Sequence, residues 1–154
     1  MCMVRRESGL ENQTWKASEP LLGLTDPEIV MIDCDNMPFR IVKKLALIVM
    51  EKCRLGGFII LRSSKNHYHV VFDRYVSWDD NMSAVGWFSV LSHNPKVKDY
   101  LVMQCIKKAS TLRVVPTNEK PAPRLVDRFG CQDHAVKDFL RFRQLIKRIY
   151  RSLN

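Results

Sequence analysis

Asp33 and Asp35 stand one residue apart at the end of an apolar run, Ile29-Val30-Met31-Ile32. Side chains of an extended strand alternate between faces, so the two carboxylates point the same way. Two oxygen donors on one face suit a hard cation such as magnesium, with phosphate oxygens completing its shell. Like charges so placed repel one another unless a cation or a base lies between them. The plain alternative is a pair of solvated acids at a strand end. A second string, Ser63-Ser64-Lys65-Asn66-His67-Tyr68-His69, runs into Val70-Val71-Phe72. His67 and His69 follow the same alternation, and Ser63, Ser64 and Lys65 add hydroxyls and a positive charge. With the free N–H donors of a turn, such groups can surround a triphosphate. The alternative is one histidine in solvent and one satisfied by a backbone group. A third string is Ser110-Thr111-Leu112-Arg113-Val114, with Lys120 after it. Arg113 in an apolar strand is costly to bury without a partner, and a phosphate or one of the aspartates can serve. Asp127 is a candidate third carboxylate, unless Arg124 and Arg128 simply pair with it.

The elements that must hold these groups are readable from pattern. The spacing predicts a strand over 28–35, apolar on both faces and therefore central and doubly covered. Asn36 is placed to cap the following helix, with Pro38 in its first turn. That helix is expected over 39–54, with Ile41, Leu45, Ile48 and Val49 inward and Gly56-Gly57 ending it. Strands are expected over 58–62 and 68–73, joined by the five polar residues 63–67. Helices follow over 78–91 and from Asn94-Pro95 to about Lys108, then strands over 111–115 and 124–129. Asp133 is expected to cap a long C-terminal helix whose Phe139, Phe142, Ile146, Ile149 and Leu153 share one side. Lys137, Arg141, Arg148 and Arg151 fall on the opposite side, as a surface for a phosphate backbone or a solvated face. The order β-α-β-β-α-α-β-β-α indicates an α+β fold, a mixed or antiparallel sheet with packed helices and a ferredoxin-like, RNA-recognition-motif-like core. Residues 1–25 read as a partly disordered or peripheral segment on which Trp15 docks back, and 26–154 as one domain.

Bulk properties suit a polyanionic partner. The 154 residues carry 25 Lys and Arg against 16 Asp and Glu, a formal charge of +9. Such a balance favours nucleic acid through counterion release without specifying sequence. The apolar run Leu45 to Met50 is far too short to cross a bilayer, and no secretory leader is expected. Cys2, Cys34, Cys53, Cys105 and Cys131 are odd in number and scattered. They read as free thiols of a reducing compartment, hence a cytoplasmic protein, rather than disulfides.

These strings together resemble the archaeo-eukaryotic primase, or primase–polymerase, superfamily. Asp33 and Asp35 match its Asp-x-Asp strand motif. Ser64 to His69 loosely match its Ser-x-His motif, with Lys65-Asn66-His67 where glycine is usual. Thr111-Leu112-Arg113-Val114 is similar to a segment of mobile-element members. The likeness spans about residues 28–129. It implies magnesium or manganese held by Asp33, Asp35 and Asp127, which would be the catalytic carboxylates of nucleotidyl transfer in DNA replication. It implies nucleoside triphosphate contacts from Ser63, Ser64, Lys65, His67, His69 and Arg113, with DNA expected over RNA. The chain is short for a full polymerase, which leaves open a partner subunit or a site that only binds. His67-Tyr68-His69 also resembles the His-hydrophobic-His string of replication-initiator endonucleases, with Tyr100 as nucleophile. That likeness leaves Asp33 and Asp35 idle. The third reading is a non-catalytic nucleic-acid-binding protein resting on the basic helix face.

Overall fold

The computed structural model describes residues 22–154. Most of the expected peripheral segment, Trp15 included, lies outside them. Strands β1 (Gly23–Asp26) and β2 (Ile29–Asp35) precede helix α1 (Phe39–Lys52). Strands β3 (Gly57–Ser64) and β4 (His67–Tyr75), helices α2 (Trp78–Ser92) and α3 (Pro95–Lys107), strands β5 (Ser110–Arg113) and β6 (Arg124–Gly130), and helix α4 (Ala135–Leu153) follow. The fold is α+β, as expected. One antiparallel sheet runs β2-β4-β3-β6, and β1 and β5 form a second, two-stranded sheet. The β2-α1-β3-β4-α2 order is compatible with a ferredoxin-like core, and β6 extends the sheet beyond β3.

Alternation assigns the two sheet faces. Val30, Ile32 and Cys34 of β2, Phe58 and Ile60 of β3, and Tyr68, Val70 and Phe72 of β4 pack under Val42, Leu45, Ala46 and Val49 of α1 and Ala84, Val85 and Phe88 of α2. On the other face Ile29, Met31, Ile59, Leu61 and Val71 meet Leu24 of β1, Leu112 and Val114 at β5, and Ala135, Val136 and Phe139 of α4. Burial of these side chains from water is what holds the layers together. No helix among the described residues is long and apolar enough to cross a membrane.

Several local expectations are corrected. β2 is covered on both faces yet lies at the sheet edge, because β1 and β5 stack beside it without pairing to it. Its outward carbonyls are capped by side chains instead. Asn81 Nδ2 donates to the Ile29 oxygen (3.0 Å), the Tyr100 hydroxyl to the Met31 oxygen (2.7 Å), and Asn94 Nδ2 to the Asp35 oxygen (2.8 Å). Residues 23–25 are not peripheral, since β1 pairs with β5 over Gly23 to Asp26. The hairpin link is two residues, Lys65-Asn66, with Asn66 left-handed at φ 58°, a conformation asparagine tolerates. Asn36 does not cap α1; Pro38 occupies that position without a side-chain bond. Ile48 faces outward, and Val42 and Ala46 complete the buried stripe. Asp133 does not cap α4. Asp73 of β4 does so across the fold, its Oδ1 accepting the His134 and Val136 N–H groups (both 3.0 Å). α4 buries only its first turns, leaving Phe142, Ile149 and Leu153 exposed.

Candidate functional site

The β2–β4 register puts Asp33 opposite His69 and Asp35 opposite His67. All four side chains therefore share the face that α4 and β5 cover, while Cys34 is buried in the other core. His67 Nδ1 lies 2.5 Å from Asp35 Oδ1, and His69 Nε2 lies 3.6 Å from Asp33 Oδ1. Above them opens a cavity of about 610 Å³. Asp33, Asp35, His69 and Ser63 line its floor. Helix α3 contributes Lys96, Asp99, Tyr100, Gln104 and Lys107; Arg113 and the 117–120 loop contribute the far wall, including Glu119 and Lys120.

Burial first, and then the neighbouring Asp35 carboxylate, push the Asp33 carboxyl up to about 6. Lys120, His67 and Arg113 pull against that shift. Burial, with Arg113 next in size, brings His69 down to about 4, so its imidazole is neutral near pH 7. The Asp33–His69 contact is thus not an ion pair at that pH, despite its distance. A neutral imidazole there offers either one N–H to a phosphate or one lone pair to a metal. The Arg113 guanidinium donates to the carbonyls of Val115 (2.7 Å) and Pro121 (2.8 Å) and to Ser63 Oγ (3.0 Å). It is fixed at the cavity wall by backbone and serine rather than by an aspartate. Gln104, buried, accepts the Thr111 N–H (3.1 Å) and so ties α3 to β5.

Not every expected residue joins this group. Asp127 pairs with Ile60, whose face is that of α1, and its Oδ2 lies 2.9 Å from Lys43 Nζ of that helix. It sits on the opposite face and at the far edge of the sheet, so it cannot be a third carboxylate beside Asp33 and Asp35. Ser64 and Lys65 do not line the cavity; with Ser63, Arg62 and Arg124 they line a second hollow. Lys137, Arg141, Arg148 and Arg151 are exposed on α4, away from the cavity. Sequence reasoning did not single out Lys96, Asp99, Gln104 or Glu119. The first three lie with Tyr100 and Lys107 at helical spacing along one stripe of α3, a signal legible in the sequence.

Magnesium or manganese, implied by the primase likeness, fits the donor chemistry of the floor. The Asp35 carboxylate adds to the cost of ionising Asp33, a cost that a cation between them relieves. Among the described residues, the one group of three His, Cys, Asp or Glu ligand atoms within 4.8 Å of one another lies elsewhere, at Asp73, Cys131 and His134.

Tyr100 does not stand free to attack a phosphodiester. Its hydroxyl is committed to the Met31 carbonyl, and burial holds its pKa well above that of an ordinary tyrosine. Compared with protein-family models, curated proteins and solved structures, the chain matches none.

Proposed function

We propose that the cavity over β2 and β4 binds a nucleoside triphosphate with a divalent cation, in a primase-like nucleotidyltransferase acting in DNA replication. The observation that carries this reading is the pair of cross-strand rungs, Asp33–His69 and Asp35–His67, opening into a cavity walled by Lys96, Lys107, Arg113 and Lys120. Two carboxylates beneath four cationic side chains are complementary to a cation-loaded polyphosphate. Asp33 and Asp35 would hold magnesium or manganese, which supplies neutralisation of charge on the transferring phosphoryl group. Neutral His69 donates an N–H to a phosphate oxygen. Arg113, preset by its three hydrogen bonds, and Lys120 balance the remaining negative charge without moving far. Asp99 and Glu119 are the other carboxylates on the cavity wall.

Nucleotide incorporation on primed and unprimed DNA templates, with magnesium or manganese, tests the reading. Asp33→Ala should reduce incorporation by about 10²–10³-fold, the range for losing one preorganised electrostatic group. Equal incorporation by this variant and the parent would overturn the assignment. So would a parent that neither incorporates nucleotide nor binds it in a metal-dependent way.

A further inference from the structure

Asp73, Cys131 and His134 converge at the opposite end of β4 from the cavity described above. Their three donor atoms, a carboxylate oxygen, a thiol sulfur and an imidazole nitrogen, lie within 4.8 Å of one another. Each is held by backbone features that do not depend on a ligand. Gly57 lets the chain after β6 approach so closely that a Cβ there would collide with the Cys131 carbonyl. Gly130, at φ 68°, makes the turn out of β6, and the Cys131 N–H then donates to the Gly56 carbonyl (3.1 Å). His134 opens α4, where its own N–H is tied to Asp73 Oδ1.

Asp73 supplies the second, independent observation. It is 1% exposed, and Oδ1 alone does all the capping of α4. Its other oxygen, Oδ2, is buried and finds no N–H or O–H donor among the described residues, while the Cys131 thiol interacts with the Asp73 side chain. A buried carboxylate oxygen left without such a donor is expensive. Capping does not explain it, because an asparagine oxygen would cap equally well. A cation at Oδ2 does.

We propose that Asp73, Cys131 and His134 form a zinc site that fastens the start of α4 to β4. Mixed sulfur, nitrogen and oxygen donors are the ligand set of Zn²⁺, and hard magnesium avoids the thiolate. Three protein ligands leave a fourth tetrahedral position for water or for Asp133, whose Oδ2 lies 3.8 Å from Cys131 Sγ. Thiolate and carboxylate together match the charge of the ion. On binding, the Cys131 thiol releases its proton to solvent as the zinc–sulfur bond forms, with no change of oxidation state. His134 is exposed and the group borders a surface hollow of about 490 Å³, so the ion has an open path in.

Cobalt(II) and zinc are the probes. The purified full chain, stripped of metal and titrated with Co²⁺, should take up one equivalent with visible d–d bands of tetrahedral intensity and a sulfur-to-metal charge-transfer band. Zinc should displace the cobalt and raise the melting temperature. Cys131→Ser should abolish the charge-transfer band, and His134→Ala should weaken zinc binding by more than about a hundredfold, beyond what loss of an outer-shell group costs. Asp73→Asn keeps the cap, so it should fold and still lose affinity. Asp33→Ala should develop the same charge-transfer band with cobalt as the parent does, which separates this site from the proposed nucleotide site. Absence of the charge-transfer band in the parent would overturn the proposal, as would a spectrum unchanged by Cys131→Ser, which would place the cobalt on another thiol.

Discussion

At the scale of single residues, Asp33 and His69 carry opposite proton debts. The Asp33 carboxyl is raised from 3.8 to about 6, so folding disfavours its charged form. The resulting loss of stability is absent below the unfolded value, grows between about pH 4 and 6, and is complete above. His69 is lowered from 6.5 to about 4, so folding disfavours its protonated form. Its penalty is complete below about pH 4 and gone above 6.5. Over the shared window the two slopes oppose each other. Asp33→Asn removes one of them. The melting temperature of this variant minus that of the parent, measured without metal, should grow from pH 4 to 6 and stay positive at pH 7.5. Magnesium or manganese should stabilise the parent and not the variant. A variant less stable than its parent at pH 7.5 would show that Asp33 is held by favourable contacts rather than against its neighbours. A residue that costs the free protein stability and is repaid by a ligand is the usual mark of a site.

At the scale of elements, the edge of β2 depends on side chains from α2 and α3. Tyr100→Phe leaves the Met31 carbonyl, fully buried, without its donor. Urea denaturation should show a loss of about 1–3 kcal/mol, the cost of stranding a buried acceptor. Nucleotide incorporation should persist. Cleavage of single-stranded DNA by the parent with a covalent link to Tyr100, lost in the folded variant, would restore the tyrosine-nucleophile reading. What the sequence made legible at this scale was whatever depends on period alone. Alternation paired Asp33 with Asp35 and His67 with His69, each on one face of its own strand, and the β2–β4 register then makes the two faces one. The face of Asp127 could not be read in the same way, because it depends on how β6 registers against β3, and that register shifts between Ile60 and Leu61. β1 is four residues, Gly-Leu-Thr-Asp, too short to alternate visibly, and exists through its pairing with a strand far along the chain. Asp73 looks like any acid in a strand. Its role as the α4 cap arises only when β4 and α4 meet.

At the scale of the whole molecule, the excess positive charge is spread over both the cavity wall and α4. Lys137, Arg141, Arg148 and Arg151 are all exposed; Arg141 lies 3.9 Å from Asp138 and over the Phe142 ring at 5.3 Å. If this helix tracks a phosphate backbone, replacing all four by glutamine should flatten the slope of log affinity against log salt for duplex DNA by about three to four units. Asp33→Ala should leave the slope nearly unchanged. An unaltered slope in the folded fourfold variant would assign the face to solvent. The same helix carries the exposed Phe142, Leu145, Ile149 and Leu153, so its outer half is basic and apolar at once.

The side chains that cap β2 also decide how this molecule can grow. A sheet with a bare rim is a template on which a second chain can lay a strand, and from there a fibre. Asn81, Tyr100 and Asn94 occupy the acceptors on one rim. β6, the other rim, sets Arg124, Asp127 and Arg128 along its short length. Three carbonyls of one rim are bonded and the other rim is guarded by charge. Self-association through strand addition is thereby discouraged at both ends of the four-stranded sheet.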